Sequence, residues 1–277
     1  MSKQTAIRRV TPPQLRARKG AEKIVCLTAY TAPTAALFDP HCDLLLVGDS
    51  LGMVVHGLPT TVGVTLDMMI LHGRAVVRGS THALVAVDLP FGSYERSPEQ
   101  AFDTASRFLT ETGAQAVKVE AAAGVADSIA FLTGRGIPVI GHVGLRPQAV
   151  HLDGGFKARG RTEAERERVL AEARATDDAG AIAMVVEGVT PELAEEITAT
   201  VGCPTIGIGA SGACDGQILV TEDMLGLFDW TPKFVRRYAD LRTTMDEAVA
   251  AYAADVRSGA FPAEAEEYRL GARKGAA

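Results

Sequence analysis

Ionisable side chains stand at the ends of short apolar runs along this sequence. Five runs end in this way, and the ionisable residues are Asp49, Asp88, Glu120, His142 and Glu187. Runs that are apolar on both faces are typical of strands buried in a parallel sheet. The carboxyl ends of such strands carry the chemistry of α/β proteins. We therefore expect these side chains to meet at one end of a sheet.

Three of the carboxylates predict a site for a divalent cation. Asp49, Asp88 and Glu120 would place three negative charges in one pocket, which is costly without a counter-charge. Oxygen ligands suit Mg²⁺, which keeps coordination positions for water and substrate. The four cysteines form no CxxC pair and have no zinc-finger spacing with a histidine, so a zinc site is not indicated. Capping of helices or pairing with arginines is the alternative role for these acids.

The remaining polar groups suggest acid–base chemistry on an anionic substrate. Glu187 is a carboxylate left over for general acid–base work. Lys118 lies two residues before Glu120, so both side chains point to the same side of a strand. A buried lysine needs either a paired acid or an anionic substrate. His142 is either a substrate contact or a buried histidine with a satisfied hydrogen bond.

The elements that must position these residues alternate between strand and helix. Seven strands are clear, near residues 23–30, 44–48, 83–88, 116–120, 137–142, 181–187 and 204–209, and 54–56 is a candidate for an eighth. At this length the alternation favours a closed (β/α)8 TIM barrel as a single domain over 1–277, with a short N-terminal arm and a polar C-terminal tail. An open doubly wound sheet is the alternative architecture.

Two glycine-rich stretches need separate interpretation. Residues 143–161 are read as a long loop, either a lid over the site or a segment without function. Residues 207–212 fit GxGxxG, but a dinucleotide fingerprint should open a βαβ unit. This one follows the last clear strand, and the residues after it read as helical, notably from 231 to 257. A dinucleotide site is therefore not expected.

Composition limits the partners of the chain. With 277 residues, a formal net charge of −6 and a pI of about 5.6, nucleic acid and anionic membranes are unfavoured partners. The basic residues near the start are expected to form a solvated tail: Arg8, Arg9, Arg16, Arg18 and Lys19. Residues 1–14 lack an apolar signal core and the cysteines are unpatterned, so we expect a cytoplasmic protein.

Segments spread over nearly the whole chain carry a family resemblance. They are LTAYTAPTA (27–35), VGDSLGMVVHG (47–57), TTVGVTLDMM (60–69), VAVDLPFGSY (85–94), VKVE (117–120), GHVGLRPQ (141–148), GGFKARG (154–160) and IGIGASGACDGQILV (206–220). In this order they resemble the ketopantoate hydroxymethyltransferase family. The resemblance implies a (β/α)8 barrel that uses Mg²⁺ and 5,10-methylenetetrahydrofolate, acts on the 2-oxo acid 3-methyl-2-oxobutanoate through an enolate, and assembles as a homodecamer.

The resemblance also implies roles for individual residues. The metal positions are Asp49, Asp88 and Glu120. The substrate-binding positions are Asp49, Ser50, Asp88 and Lys118, and the catalytic base is Glu187.

Three positions depart from the pattern expected of the family. Ala121, Arg146 and Gly188 flank the site acids and leave open a shifted preference for the keto acid. The rival enzyme is another Mg²⁺-dependent barrel acting on 2-oxo acids, such as a C–C lyase or a phosphoenolpyruvate mutase relative. Those enzymes typically carry a loop cysteine that residues 151–160 lack. A barrel that only binds or scaffolds is the second rival, although every site acid is present.

Overall fold

The structure, a computed structural model, describes residues 9–122 and 124–268. Its chain divides into two compact units, Met1–Thr221 and Glu222–Ala277, and each is described by itself. Arg8 of the expected basic tail and the last residues of the expected C-terminal tail lie outside the described residues. The single domain expected over 1–277 stays a prediction.

The first unit is a closed barrel of eight parallel strands in sequential order, as the sequence predicts. The first strand pairs with both the second and the eighth, which closes the ring. The strands are β1 (Ile24–Thr28), β2 (Leu44–Val47), β3 (Leu84–Asp88), β4 (Ala116–Glu120), β5 (Val139–Gly144), β6 (Ala183–Glu187), β7 (Thr205–Ile208) and β8 (Gly216–Leu219).

Helices precede β1, fill most of the connections between the strands and follow β8. They are α1 (Pro12–Arg16), α2 (Ala32–Phe38), α3 (Leu51–Val54), α4 (Leu66–Gly79), α5 (Pro98–Thr112), α6 (Val125–Thr133), α7 (Val150–Asp153), α8 (Glu163–Asp178), α9 (Pro191–Thr200) and α10 (Thr221–Met224). Five of them begin after a hydroxyl side chain that accepts a hydrogen bond from a backbone N–H three residues on: Thr31, Thr65, Ser97, Thr162 and Thr190. These caps satisfy donors that the first helical turn leaves free.

Alternate residues of each strand face two different apolar clusters. One cluster fills the barrel interior and includes Ile24, Leu44, Leu84 and Ile206. The intervening residues pack outward against the helices, in clusters that together contain most of the remaining core. Because side chains alternate along a strand, the polar residues that continue the inward series are fixed at the carboxyl end of the barrel.

The amino-terminal segment closes the other end of the barrel. Leu15 of α1 is fully buried within the interior cluster. Arg9 donates to the backbone oxygens of Val77, Ser80 and Ala83, and Lys19 forms a 3.0 Å ion pair with Asp215. The expectation of a solvated basic tail is therefore wrong for the described part of this segment, since these cations bind carbonyl and carboxylate oxygens of the barrel.

The eighth strand lies elsewhere than the sequence suggested. Residues 51–54 form α3, so the strand proposed near 54–56 is wrong. The eighth strand is β8, and the GxGxxG stretch spans the end of β7 and the turn that leads to it, not the start of a helix. Apolar periodicity misses β8 because Gln217 is exposed and Gly216 has no side chain. A Cβ on Gly216 would lie 2.5 Å from Ile24 O, so β1 and β8 approach each other closely at this glycine.

Two further segments differ from expectation. The loop expected over 143–161 contains the short helix α7. The helix expected from 231 instead begins at Leu241, as α11 (Leu241–Ser258), with the Asp240 side chain accepting from Thr243 N at its start. Pro232 resembles a helix start in sequence, but the cap that is used lies eight residues further along the chain.

The second unit contains α11, whose apolar residues face solvent in this chain. Met245, Val249, Tyr252 and Val256 are all exposed and recur at helical spacing. None of the helices in the described part of the chain combines the length and the apolar character that crossing a membrane requires.

Candidate active site

Neighbouring strands place the predicted residues side by side at the carboxyl end of the barrel. Asp88 of β3 is the register partner of Lys118 on β4. Glu120 pairs in the same way with His142 on β5. Glu187 ends β6 opposite the last residue of β5. The structure therefore brings together the ionisable residues that the sequence singled out at the strand ends.

The turn after β2 delivers Asp49 and Ser50 to this group. Asp49 N donates to Asp88 Oδ2 over 3.0 Å, and Ser50 Oγ lies 2.8 Å from the hydroxyl of Tyr30. A Cβ on Gly48 would lie 2.9 Å from Ser50 Oγ, so the missing side chain lets the turn fold this tightly. The Asp49 carboxylate does not cap α3, whose N-cap is Ser50.

Lys118 provides the central positive charge. Its Nζ lies 2.8 Å from Asp88 Oδ1 and 3.5 Å from His142 Nδ1. Burial alone would lower the pKa of Lys118, but the surrounding carboxylates, Asp88 first, raise that pKa above its ordinary value. The lysine is therefore a permanent cation, and it fills the role that the alternative interpretation gave to arginine.

His142 connects the lysine to Glu187. Burial, followed by the charge of Lys118, lowers the pKa of His142, so the ring is neutral at neutral pH. An ammonium group can only donate, so Nδ1 accepts from Lys118 and the ring proton lies on Nε2. Nε2 lies 3.2 Å from Glu187 Oε2. The two atoms are not aligned for a hydrogen bond, and Nε2 has no other hydrogen-bond partner among the described residues.

Glu187 is the most accessible acid of the group. Its side chain is 21% exposed, whereas those of Asp88 and Glu120 are 3% and 5% exposed. Its Oε2 lies 3.2 Å from Nε2 of the neutral His142 ring. This carboxylate can therefore reach a ligand that enters from the barrel mouth.

Two uncharged residues that the sequence did not indicate complete the site. Gln148 follows β5, and its Nε2 donates to Asp49 Oδ2 over 2.7 Å. Its backbone N–H donates to Glu120 Oε1 over 3.1 Å. The hydroxyl of Tyr94 donates to Gln148 Oε1 over 2.8 Å. Neither residue carries a charge at a strand end, which was the signal used to find the others.

The donor chemistry of the three predicted ligands fits a divalent cation. Burial, followed by the charge of Asp88, raises the pKa of Asp49 to about 7. Burial, followed by the charge of Asp49, raises the pKa of Glu120 well above its ordinary range. Asp88 Oδ1 is paired with Lys118 Nζ over 2.8 Å. A cation would offset this crowding of negative charge.

The carboxylates share one network without converging on one point. Among residues 9–122 and 124–268, no three His, Cys, Asp or Glu side chains stand close enough together to hold a metal ion. Asp49 and Glu120 are held apart by hydrogen bonds to Gln148. Coordination of one ion by all three acids therefore requires side-chain rotation.

The three departures from the family pattern have local structural roles. Arg146 Nη1 donates to Ala121 O over 3.2 Å, so two of the positions contact each other. Gly188 has φ of +55°, and a Cβ there would lie 2.9 Å from the Leu145 side chain. Glycine is therefore required in the turn directly after Glu187.

Comparison with known proteins places the whole barrel in one group of sequences. The profile of the ketopantoate hydroxymethyltransferase family matches residues 9–264. The chain is 67% identical over 270 residues to a 3-methyl-2-oxobutanoate hydroxymethyltransferase of Hyphomonas neptunium, covering 98% of each protein. It is 69% identical over 262 residues to the protein of the same name from Phenylobacterium zucineum, covering 95% of each.

Solved structures with similar folds are more distant in sequence. A phosphoenolpyruvate phosphomutase from Streptomyces platensis subsp. rosaceus superposes with a TM-score of 0.61 at 13% identity, covering 90% of this chain and 88% of that one. A 2,3-dimethylmalate lyase superposes with a TM-score of 0.59 at 17% identity, covering 93% and 91%. At these identities the likeness concerns the barrel fold alone.

Proposed function

The chain belongs to the ketopantoate hydroxymethyltransferase family, and from that premise we propose how its barrel mouth carries out the reaction. The protein is an enzyme that transfers a hydroxymethyl group to 3-methyl-2-oxobutanoate and forms 2-dehydropantoate, the first step of pantothenate synthesis. One observation supports the roles below: a buried lysine among buried acids, with one further carboxylate accessible from the mouth.

We propose that Asp49, Asp88 and Glu120 hold a Mg²⁺ ion. Their oxygens match the ligand preference of this cation, and the raised pKa values of Asp49 and Glu120 show how poorly the pocket tolerates its own negative charge. When bound, the ion would supply Lewis-acid polarisation of the 2-oxo group.

The 2-oxo acid itself is anchored by the chain's own polar groups. Lys118 supplies a positive charge that neutralises the substrate carboxylate and the negative charge that develops at the keto oxygen. Ser50 offers a hydroxyl at the turn after β2, and its partner Tyr30 fixes the position of that hydroxyl.

Glu187 is the proposed general base. It removes the proton from C3 of the 2-oxo acid, and the electron pair forms the enolate. C3 then attacks the one-carbon unit of 5,10-methylenetetrahydrofolate, whose two C–N bonds break as water supplies the hydroxyl group. The proton held by Glu187 and the proton left from the water go to the two nitrogens of the departing tetrahydrofolate. The ring of His142 lies 3.2 Å from Glu187 and is neutral. A positive charge at this place would stabilise the ionised form of Glu187 and make the carboxylate a weaker base, and the neutral ring does not have this effect.

Residues 154–160 are proposed as the lid over this reaction. Arg159 N donates to Gly188 O over 2.8 Å, and Thr190 N donates to Arg159 O over 3.2 Å. The end of the loop is thus fastened beside the base, while its glycines at 154 and 155 have positive φ. Closure of such a loop would keep water from the enolate until the one-carbon unit is in place.

Assembly and location remain proposals. The exposed apolar stripe on α11 supports self-association, and a homodecamer is the assembly that the family resemblance implies. Cys26, Cys42, Cys203 and Cys214 are all free thiols. This supports a reducing compartment, such as the cytoplasm.

The first test is formation of the product. The protein is mixed with 3-methyl-2-oxobutanoate, 5,10-methylenetetrahydrofolate and Mg²⁺, and 2-dehydropantoate is measured by mass spectrometry with an EDTA control. We expect product that EDTA abolishes and Mg²⁺ restores. Product that persists in EDTA would reject the metal assignment. No product from folded protein that binds the metal would indicate a different 2-oxo acid.

The base assignment has its own test in Glu187→Gln. Loss of the accepting carboxylate should lower kcat by at least about 10²-fold, the usual scale for a general base. Metal affinity should stay close to that of the wild type, because Glu187 is not among the proposed ligands. A Gln variant with normal kcat would reject the assignment. The matched control is Glu192→Gln, at the exposed start of α9.

A further inference from the structure

Gln148 makes contacts to three different parts of the barrel mouth. Its side-chain Nε2 donates to Asp49 Oδ2 over 2.7 Å and to Leu89 O over 2.9 Å. Its backbone N–H donates to Glu120 Oε1 over 3.1 Å. The residue comes from the turn after β5, yet it binds an acid that follows β2 and an acid that ends β4.

These contacts fix which carboxylate oxygens are occupied. Asp49 uses Oδ2 and Glu120 uses Oε1 to accept from Gln148, which leaves Oδ1 and Oε2 as the oxygens not used by the glutamine. A carboxylate held through one oxygen presents the other in a defined direction. The neutral amide also keeps the two negative charges apart without adding a third.

Tyr94 fixes the orientation of the Gln148 amide. The phenolic O–H donates to Gln148 Oε1 over 2.8 Å. The phenolic oxygen of Tyr94 in turn accepts from Glu120 N over 3.3 Å. A flipped amide would turn Oε1 toward the Asp49 carboxylate and the Leu89 carbonyl, which are both acceptors. Tyr94 is 2% exposed, so its ring is held by packing while its hydroxyl sets the amide.

We propose that Gln148, oriented by Tyr94, is a positioning residue that holds Asp49 and Glu120 by one oxygen each and leaves the other oxygen of each for a shared divalent cation. The inference rests on the metal assignment made above and adds the residues that arrange its ligands. Hydrogen bonds of this kind to metal ligands commonly contribute about 10- to 100-fold in metal affinity or activity. Because Tyr94 acts through Gln148, the two side chains should not contribute independently.

The experiment is a double-mutant cycle on metal binding. Mn²⁺, which also prefers oxygen ligands, is titrated into wild type, Tyr94→Phe, Gln148→Leu and the double variant, and free Mn²⁺ is followed by electron paramagnetic resonance. Gln148→Leu should weaken binding by about 10-fold or more. Tyr94→Phe should weaken it by a smaller factor, and the double variant should bind as Gln148→Leu does.

Gln115→Leu is the matched control. Gln115 also accepts from one backbone N–H and donates to one backbone carbonyl, but it lies at the amino end of β4, away from the site. Its Mn²⁺ affinity should equal that of wild type. Circular dichroism of each variant checks folding, and Tyr94→Phe keeps the test valid if Gln148→Leu does not fold, because only a hydroxyl is lost.

Kinetics separate positioning from a direct role in the reaction. In Gln148→Leu the Mg²⁺ concentration for half-maximal activity should rise in parallel with the Mn²⁺ dissociation constant, and kcat at saturating Mg²⁺ should recover. An unchanged Mn²⁺ affinity in folded Gln148→Leu, or additive effects in the cycle, would overturn this inference and leave the metal assignment in place. Failure of wild type to bind Mn²⁺ would overturn the metal assignment and this inference together.

Discussion

At the scale of single residues, the site is organised around one buried positive charge. Lys118 stands among Asp49, Asp88 and Glu120, and its nearest contact is the 2.8 Å pair with Asp88. Removing one member of a buried ion pair strands the other in a low-dielectric environment. The lysine therefore stabilises the fold of the mouth as well as binding substrate charge.

Lys118→Met should destabilise the metal-free enzyme. The substitution keeps the apolar stem but strands the carboxylates, so the free energy of unfolding should fall by about 3–5 kcal/mol. Urea unfolding in EDTA measures the change, and Lys233→Met, at an exposed position of the second unit, is the control. Added Mg²⁺ should recover part of the loss. A Met variant as stable as the control would show that the acids do not depend on this lysine.

Some residues at the barrel mouth are predictable from the sequence and others are not. Asp88, Glu120 and Glu187 were predictable because each interrupts an apolar run, and a parallel barrel collects such ends on one face. Gln148 and Tyr94 were not predictable in this way. Both are uncharged and follow their strands by several residues, and only the folded loops bring them to the acids.

At the scale of elements, the proposed lid before α8 is held at both of its ends. Arg159 pairs with Asp153 of α7 and lies 3.6 Å from Glu165 of α8. Its backbone forms a parallel bridge with Val189, directly after β6. Residues 154–158 are thus a short span between two fixed points.

Arg159→Met should loosen this span without removing its backbone bridge. Trypsin should then cleave after Lys157 faster than in the wild type, and kcat should fall because the proposed lid no longer closes reproducibly. Mass spectrometry of timed digests locates the cut. Arg161→Met, two residues away, is the control. Equal cleavage rates in both variants would mean that the side-chain pairs do not restrain the loop.

The start of the second unit contains an acid that should link stability to pH. Burial raises the pKa of Glu222 from 4.5 to about 7, and its Oε2 accepts no hydrogen bond among the described residues. Between these pH values the unfolded chain releases a proton that the folded chain retains, so stability falls as pH rises and levels off above about pH 7.

Glu222→Gln should remove this pH dependence. The variant should match wild type near pH 4.5 and exceed it by at most about 3 kcal/mol above pH 7. Urea unfolding at several pH values measures the difference, with the exposed Glu247→Gln on α11 as control. Parallel curves for wild type and Glu222→Gln would contradict the raised pKa.

The elements that sequence reasoning placed wrongly share a physical cause. β8 has only two apolar side chains and is specified by its pairing with β1 and β7 rather than by its own pattern. Residues 51–54 are apolar enough for a strand, but the tight turn at Gly48 feeds them into α3. At β8 long-range pairing decides the structure and at α3 a tight local turn does, and apolar periodicity records neither.

At the scale of the whole molecule, α11 predicts an assembly. Substitution of Val249 by Asp places a charge at the centre of its exposed apolar stripe and should shift the mass measured by light scattering toward smaller species. Ala254→Asp adds the same charge about 140° away around the helix and should leave the mass unchanged. A monomeric wild type would reject self-association, and equal effects of both variants would reject the stripe as its surface.

The seal at the amino-terminal end of the barrel also constrains how the chain is made. Arg16 and Lys19 bind the carbonyls of Ala181 and Thr198, and the first strand receives its last neighbour only with β8. During synthesis these two residues wait for carbonyl partners that lie 165 and 179 residues further along the chain. The ring therefore closes late, and until then the nascent chain carries open strand edges, which are prone to pair with other chains.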